Sequence, residues 1–307
     1  MINSRMYDLS DKQIPFFEKF RKIGSKNCKK IIKQTTEFIR KQHVSEDGTI
    51  RPAVIGLSGG VDSSVVAWLA VHALGAENVI GVMMPYGGMS SRASVEDAVE
   101  LAKQLGIKRL YLRPINKAVN AIIETVEAGA EIKLDALGKG NIMARVRMTI
   151  LYAISGKYFG RVLDTCNLTE VMVGFFTKWG DGASDHNPVR YLYKTWIWEL
   201  ARYMKLPQNI IDKAPSAELE PDQTDEHDMG ITYRALDLIL YLYFEKGMSK
   251  LWLTRDYFFS EEAIDVALGK VNASEHKRAP TPVCEIDLNL NDDPDEVKRI
   301  NDIISEM

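Results

Sequence analysis

Between Ala53 and Leu163 the chain alternates two hydrophobic rhythms. Short apolar runs are each followed by a longer stretch whose apolar residues recur every three or four positions, which predicts buried strands alternating with helices. The strand-like runs are Ala53–Leu57, Val79–Met84, Arg109–Leu112 and a fourth that begins at Val162-Leu163. The helical stretches are about Asp62–Leu74 closed by Gly75, a helix capped by Ser94 and running to Leu105, Ile115–Glu127, and Asn141–Ser155. In the last of these Ile142, Val146, Ile150 and Ile154 form one stripe. This order predicts an α/β fold, a Rossmann-like parallel sheet with helices on both faces.

The flanks read as helical elaborations. From Ile14 to His43, eight Phe and Ile residues recur at helical spacing with lysines between them, as in a helix with a solvated basic face. Val171–Pro188 is irregular and rich in glycine and aspartate. Helical spacing returns over about Thr195–Met204, Ile231–Phe244 and Glu261–Val271. No flexible linker or internal repeat divides the chain, so a single domain over 1–307 is expected, with a C-terminal helical region from about 190.

Composition narrows the class. The 307 residues are 46% hydrophobic and 26% charged, with a net charge of −3, so no basic excess points to nucleic acid. Cys28, Cys166 and Cys284 are odd in number and lack paired spacing, which suggests a reducing, cytoplasmic setting. The five histidines show no H-x-x-x-H spacing, so a structural zinc site is not expected. No run of about 18 apolar residues predicts a membrane span.

The most informative segment follows the first strand. Residues 57–64 read Leu-Ser-Gly-Gly-Val-Asp-Ser-Ser. Paired glycines let the backbone turn tightly and approach a ligand. Successive N–H groups and a helix N-terminus then form a cradle for phosphate. Ser58, Ser63 and Ser64 add hydroxyls, and Asp62 is suited to a divalent metal. No Gly-Lys-Ser/Thr follows, and the glycines are adjacent, so neither a Walker loop nor a dinucleotide fingerprint is present. The alternative is an ordinary strand–turn–helix junction.

The loop resembles the signature of the N-type ATP pyrophosphatases, which cleave ATP between its α and β phosphates and adenylate a substrate oxygen. Four further segments accompany it: Gly140–Arg147, Thr165–Glu170, Gly174–Gly182 (GFFTKWGDG) and Ala214–Leu219. Together they are similar to the ammonia-dependent NAD synthetases over about residues 30–290, and Glu275–Arg278 resembles a late motif of that family. The resemblance implies an adenine nucleotide alpha hydrolase-like fold and a two-step amidation. The carboxylate of deamido-NAD attacks ATP and releases pyrophosphate, then ammonia attacks the acyl adenylate. No glutaminase domain precedes the loop, so free ammonia is the expected nitrogen donor.

The same resemblance supplies roles residue by residue. Ser58, Gly59, Gly60, Val61, Asp62, Ser63 and Ser64 are expected to bind ATP phosphates, with Arg147, Thr165, Lys194 and Ser216 as further ATP contacts. Asp62 and Glu170 are the expected Mg²⁺ ligands. Asn141, Arg145, Lys178, Asp185, His276 and Lys277 match deamido-NAD contacts, the last two reaching a neighbouring subunit in a homodimer. Asp62, Lys178 and Asp181 are the expected catalytic residues. Blander readings stand beside these: Arg145 and Arg147 as an outer helix face, Glu170 as a solvated loop acid, Trp179 as packing, His276 as surface. Asp164 stands where the family pattern has glycine, Met83 where many members have arginine, and Tyr241–Phe259 is unusually long and aromatic. The competing functions are another amidating or thiolating pyrophosphatase and a nucleotide-binding module without catalysis.

Overall fold

Two helices, α1 (Ile14–Arg21) and α2 (Gly24–His43), stand where the spacing predicts one. The chain leaves helical geometry at Lys22 (ψ 83°), and Gly24 takes φ +70°. The stripes serve different cores, which explains the break. α1 buries Phe17 and Phe20 among the C-terminal helices, whereas α2 buries Cys28 and Ile39 against the sheet side.

The sheet comprises β1 (Ala53–Gly56), β2 (Val79–Met83), β3 (Arg109–Leu112) and β4 (Arg161–Val162). This computed structural model describes residues 6–87, 90–129, 131–216, 224–284 and 294–305. The strand order is β3-β2-β1-β4, and every pairing is parallel. Ala53 stands opposite Val79 on one side and Arg161 on the other. A bridge from Leu163 to His186 extends the β4 edge.

Alternation along the strands sends side chains into two cores. Ile55, Val79 and Met83 pack with α3 (Val61–Leu74) and α4 (Arg92–Gln104). Val54, Ile80 and Val82 pack on the opposite face with α5 (Asn116–Val126) and α6 (Ala136–Tyr158). The chain thus winds outward from β1 with helices on one face and returns to β4 with helices on the other. The carboxyl ends of β1 and β4 therefore border a topological switch point, where a crevice opens.

Several boundaries differ from the sequence expectation. Ser91, not Ser94, caps α4, accepting the Ser94 N–H. α6 starts at Ala136 because the Asp135 carboxylate accepts the Gly138 N–H. Beyond β4 come α7 (Leu168–Val173), α8 (Lys194–Tyr203), α9 (Gln208–Asp212), α10 (Asp225–Met229) and α11 (Tyr233–Leu240). The helix expected to Phe244 loosens into a π turn over Tyr241–Glu245. α12 (Lys250–Arg255), α13 (Glu261–Ala273), α14 (Glu275–Arg278) and α15 (Pro294–Ser305) complete the chain. The aromatic stretch that stood out in the sequence supplies Leu242, Leu253 and Phe259 to the third core, built on α1, α11 and α13.

A histidine pair fastens α2 to the sheet edge. His43 Nδ1 lies 2.6 Å from the Arg51 carbonyl and its Nε2 lies 2.9 Å from His186 Nε2. A carbonyl only accepts, so neutral His43 carries its proton on Nδ1 and accepts from His186 Nε2–H. Burial lowers both pKa values, that of His186 from 6.5 to about 4. Both rings are therefore neutral when folded but protonate near 6.5 when unfolded, so stability falls as pH drops through that window. Urea midpoints are expected to decline from pH 6.5 to 4, His186 contributing at most about 1.4 kcal/mol per pH unit and His43 acting in the same direction. His186→Asn should flatten that decline; an unchanged slope would remove the pair as its cause.

Candidate functional site

The turn after β1 lies at the head of the crevice. Gly59 takes φ +79°, and a Cβ there would come 2.2 Å from the Ser94 carbonyl oxygen. Both conformation and space therefore require glycine. Gly60 precedes α3 without a side-chain cap, which leaves the N-terminal N–H groups of this 14-residue helix to a ligand. The serines shape the turn: Ser63 and Ser64 hydroxyls donate to the Gly60 carbonyl at 3.1 and 2.7 Å, and Ser58 Oγ accepts from Gly60 N at 3.2 Å. Val61 is buried, so only its backbone is available to a ligand. Lys213 ties the turn to its neighbours, with Nζ 3.4 Å from the Gly59 carbonyl, 3.2 Å from Ser94 Oγ, and paired with Asp97.

Beside the turn a cation is buried among carboxylates. The Lys194 side chain is 3% exposed, with Nζ 2.6 Å from Asp62 Oδ2 and 3.3 Å from Glu170 Oε1. Asp225 adds a third negative charge. Burial opposes the ammonium, but the attraction of Asp62, Glu170 and Asp225 outweighs it and raises the Lys194 pKa. Burial also pushes Glu170 upward, against the pull of Lys194. Asn167 Nδ2 donates to Asp62 Oδ1 at 2.9 Å, and Asn167 and Glu170 form a reciprocal capping box at the start of α7. The two expected metal ligands are thus brought together, bridged by a lysine assigned from sequence to nucleotide phosphate. Glu170 is no solvated loop acid.

A fully buried carboxylate supports this cluster from behind. Asp237 accepts from Thr169 Oγ1 at 2.6 Å, Thr195 N at 2.8 Å and Thr195 Oγ1 at 2.7 Å. Those threonines directly precede Glu170 and follow Lys194. One turn earlier on α11, Tyr233 donates to Asp225 Oδ2 at 3.0 Å, and its ring centroid lies 5.0 Å from Lys194 Nζ. Sequence reading missed these supports. Asp237 had a signal, a lone charge inside the apolar run Ala235–Leu242, where an unpaired charge would not persist. Asp225 had none, because it lies in an acidic run that reads as solvated.

A cavity of about 210 Å³ opens next to Ser58, between the ends of β1, β2 and β4 and one face of α6. Leu57, Val82, Met83, Met84 and Leu151 give it apolar walls; Arg147, Asp164, Thr165 and Asp181 also line it. Arg147 donates to the Met84 carbonyl at 3.2 Å and so turns inward, not to an outer helix face. Asp181 is a lining residue whose Oδ1 accepts from Thr177 N at 2.8 Å, and desolvation by the surrounding protein raises its pKa.

The GFFTKWGDG loop forms the rim. Asn141 Oδ1 accepts from Thr177 Oγ1 at 2.8 Å, and Arg145 Nη2 donates to the Lys178 carbonyl at 3.3 Å. Trp179 takes φ +62° and is 60% exposed, so packing does not explain it. Within its own chain, α14 braces this loop. Lys178 Nζ donates to the His276 carbonyl at 2.8 Å, and Lys277 Nζ donates to the Gly174 and Phe176 carbonyls at 2.7 and 2.8 Å. Asp185 Oδ2 accepts the Val162 N–H at 2.6 Å, which fastens the end of β4. Ser216 is exposed beyond Lys213, and Ala217–Leu219 lie outside the described residues.

The family model for NAD synthase matches residues 31–281. The chain belongs to the NAD synthase family. It is 42% identical to an NH(3)-dependent NAD(+) synthetase of Pyrococcus furiosus, over 82% of this chain and 93% of that one. A Methanocaldococcus jannaschii relative of the same description is 38% identical over 86% and 100%. Among solved structures, an NMN synthetase from Francisella tularensis superposes with a TM-score of 0.72 at 33% identity, over 84% of this chain and 99% of that one. An NH3-dependent NAD synthetase from Campylobacter jejuni gives 0.69 at 28%, again over 84% and 99%. As an NAD synthase family member the chain is an ATP-consuming carbon–nitrogen ligase that makes NAD with ammonia. No helix among the described residues is long and apolar enough to cross a membrane.

Two outcomes test this NAD synthase site. Gly59→Ala is expected to cost about 1–3 kcal/mol of stability and to impair pyrophosphate release, read by thermal melting and a coupled assay. Lys194→Met should destabilise by about 3 kcal/mol or more, because buried carboxylates lose their cation. A Lys194→Met protein with wild-type denaturation would show that the cluster does not need its ammonium.

Proposed function

We propose that the Ser58–Ser64 turn grips the pyrophosphate end of ATP while the neighbouring cavity receives the nucleoside. The observation that carries this reading is the uncapped start of α3, set between that cavity and the Asp62–Lys194–Glu170 cluster. Attack by the nicotinate carboxylate of deamido-NAD on the α-phosphate brings negative charge to an anion. The N–H groups of the turn and the Lys194 ammonium offset it. Arg147, Thr165 and Ser216 complete the ATP contacts.

The donor chemistry fits Mg²⁺. Three carboxylates face one ammonium, and Asp225 Oδ1 has no hydrogen-bond partner among the described residues. Among the described residues no group of three or more acidic, histidine or cysteine side chains converges tightly enough there to hold a metal alone. Mg²⁺ commonly takes one or two carboxylates and completes its shell with phosphate oxygens and water. Asp62 and Glu170 are the residues that would hold it, and when bound it would neutralise charge on the departing pyrophosphate.

The second step is amide formation. Ammonia attacks the acyl carbon, AMP departs with the bonding electron pair, and the nitrogen loses a proton. Asp181 suits that proton, since it lines the cavity and has a raised pKa. Lys178, on the rim, supplies positive charge near the acyl oxygen. Asn141, Arg145, Asp185, His276 and Lys277 are the proposed deamido-NAD contacts. The protein acts as a cytoplasmic homodimer in this reading, and sedimentation of a fully active monomer would contradict the dimer.

With ATP, Mg²⁺ and ammonium, NAD should form from deamido-NAD and pyrophosphate should be released in equal amount. Asp62→Asn should retain the fold and lose about 100-fold or more in turnover. Near-normal rates would take Asp62 out of the mechanism. Nicotinate mononucleotide, the acceptor suggested by the Francisella relative's description, is the control; amidation of it alone would overturn the substrate assignment.

A further inference from the structure

We infer that Arg278 is a positioning residue: it anchors the root of the GFFTKWGDG rim loop and so holds the deamido-NAD side of the site in register. The inference rests on the reading above that this loop and α14 contact deamido-NAD. A helix ends in carbonyls without partners inside it, and a cation is favoured beside them. Two such ends meet at Arg278. Its Nη1 donates to the Met172 carbonyl of α7 at 2.5 Å and to the hydroxyl of Ser274, which closes α13, at 2.7 Å. Its Nη2 donates to the Val271 carbonyl of α13 at 2.7 Å. A guanidinium presents its donors in a fixed planar fork, so one side chain sets the spacing of both helix ends. A lysine ammonium is a single point on a flexible stem and cannot do the same.

The rim loop departs directly from this joint. Gly174 closes α7 at φ +68°, and a Cβ there would come 2.2 Å from Ser274 Cβ, so the two helix ends touch without slack. Further along, Lys277 holds the Gly174 and Phe176 carbonyls, and Lys178 reaches the His276 carbonyl. The loop is thus laced to α14, and Arg278 fixes where α14 and α7 stand relative to each other. The opposite end of α7 is secured independently. Asn167 and Glu170 form the capping box there, Asn167 donates to Asp62, and Thr169 donates to Asp237. Loss of the guanidinium therefore frees the loop while the phosphate turn and its carboxylates keep their own supports. The damage falls on one substrate and spares the other.

The test compares Arg278→Lys and Arg278→Gln with the wild type in steady-state amidation and in hydrogen exchange. Both variants should raise KM for deamido-NAD about tenfold and leave KM for ATP within about twofold. Amides of residues 174–182 should exchange faster, while those of 58–64 keep the wild-type rate. Ser274→Ala, which removes one of the guanidinium's acceptors, carries the comparison if neither arginine variant folds, and should shift the same two readouts in the same direction. Wild-type constants and exchange in Arg278→Lys overturn the proposal, and so does an equal rise in KM for both substrates, which marks general loosening. Lys178→Ala separates this role from the reading beneath it. An unchanged KM for deamido-NAD in that variant would refute the loop's contact with the substrate. A raised one, beside wild-type behaviour of the Arg278 variants, would refute only the role of Arg278.

Discussion

A single ammonium organises the centre of this molecule. Lys194 lies out of water, and a buried cation persists only when its charge is met at close range. The groups that meet it stand at the starts of separate helices. Asp62 is in the first turn of α3, Glu170 in that of α7 and Asp225 in that of α10, while Lys194 itself opens α8. Tyr233, which opens α11, contributes its ring face. Carboxylates at helix N-termini are favourable and a lysine there is not, so the acids stabilise three helix ends and the misplaced cation together. The arrangement gathers these helix termini beside the Ser58–Ser64 turn while leaving the negative charge in excess.

Asp237 shows how such precision is maintained. It touches no position expected at the substrate. It fixes the threonines adjacent to Glu170 and Lys194, so the spacing between acid and base depends on α11. α14 does the same for the rim loop through the Lys277 and Lys178 contacts. The C-terminal helices are therefore part of the catalytic scaffold as much as the sheet is.

The parts of this design that are legible in the sequence are local ones. The glycine pair, the serines and Asp62 fall within eight residues, and the strand–helix alternation shows directly in the apolar spacing. The break between α1 and α2 was not legible, because periodicity reports that a residue is buried and not in which core. Ser91 and Ser94 are both capping residues by type, and only backbone geometry separates them. The bond from Lys194 to Asp62 spans 132 positions, and no pattern along the chain announces it. Arg147 turning inward was likewise undecided until Met84, just past β2, supplied the carbonyl that receives it.

Lys213 gives the turn a further property. One ammonium clasps the Gly59 carbonyl, the Ser94 hydroxyl and Asp97 from the segment that leads on to Ser216. The glycine turn is thus not a free-standing bend but one corner of a three-way clamp. Its rigidity is borrowed from a strand of chain more than a hundred and fifty positions downstream. Whatever displaces that downstream segment also removes these contacts from the turn, so the two stretches of chain are mechanically coupled.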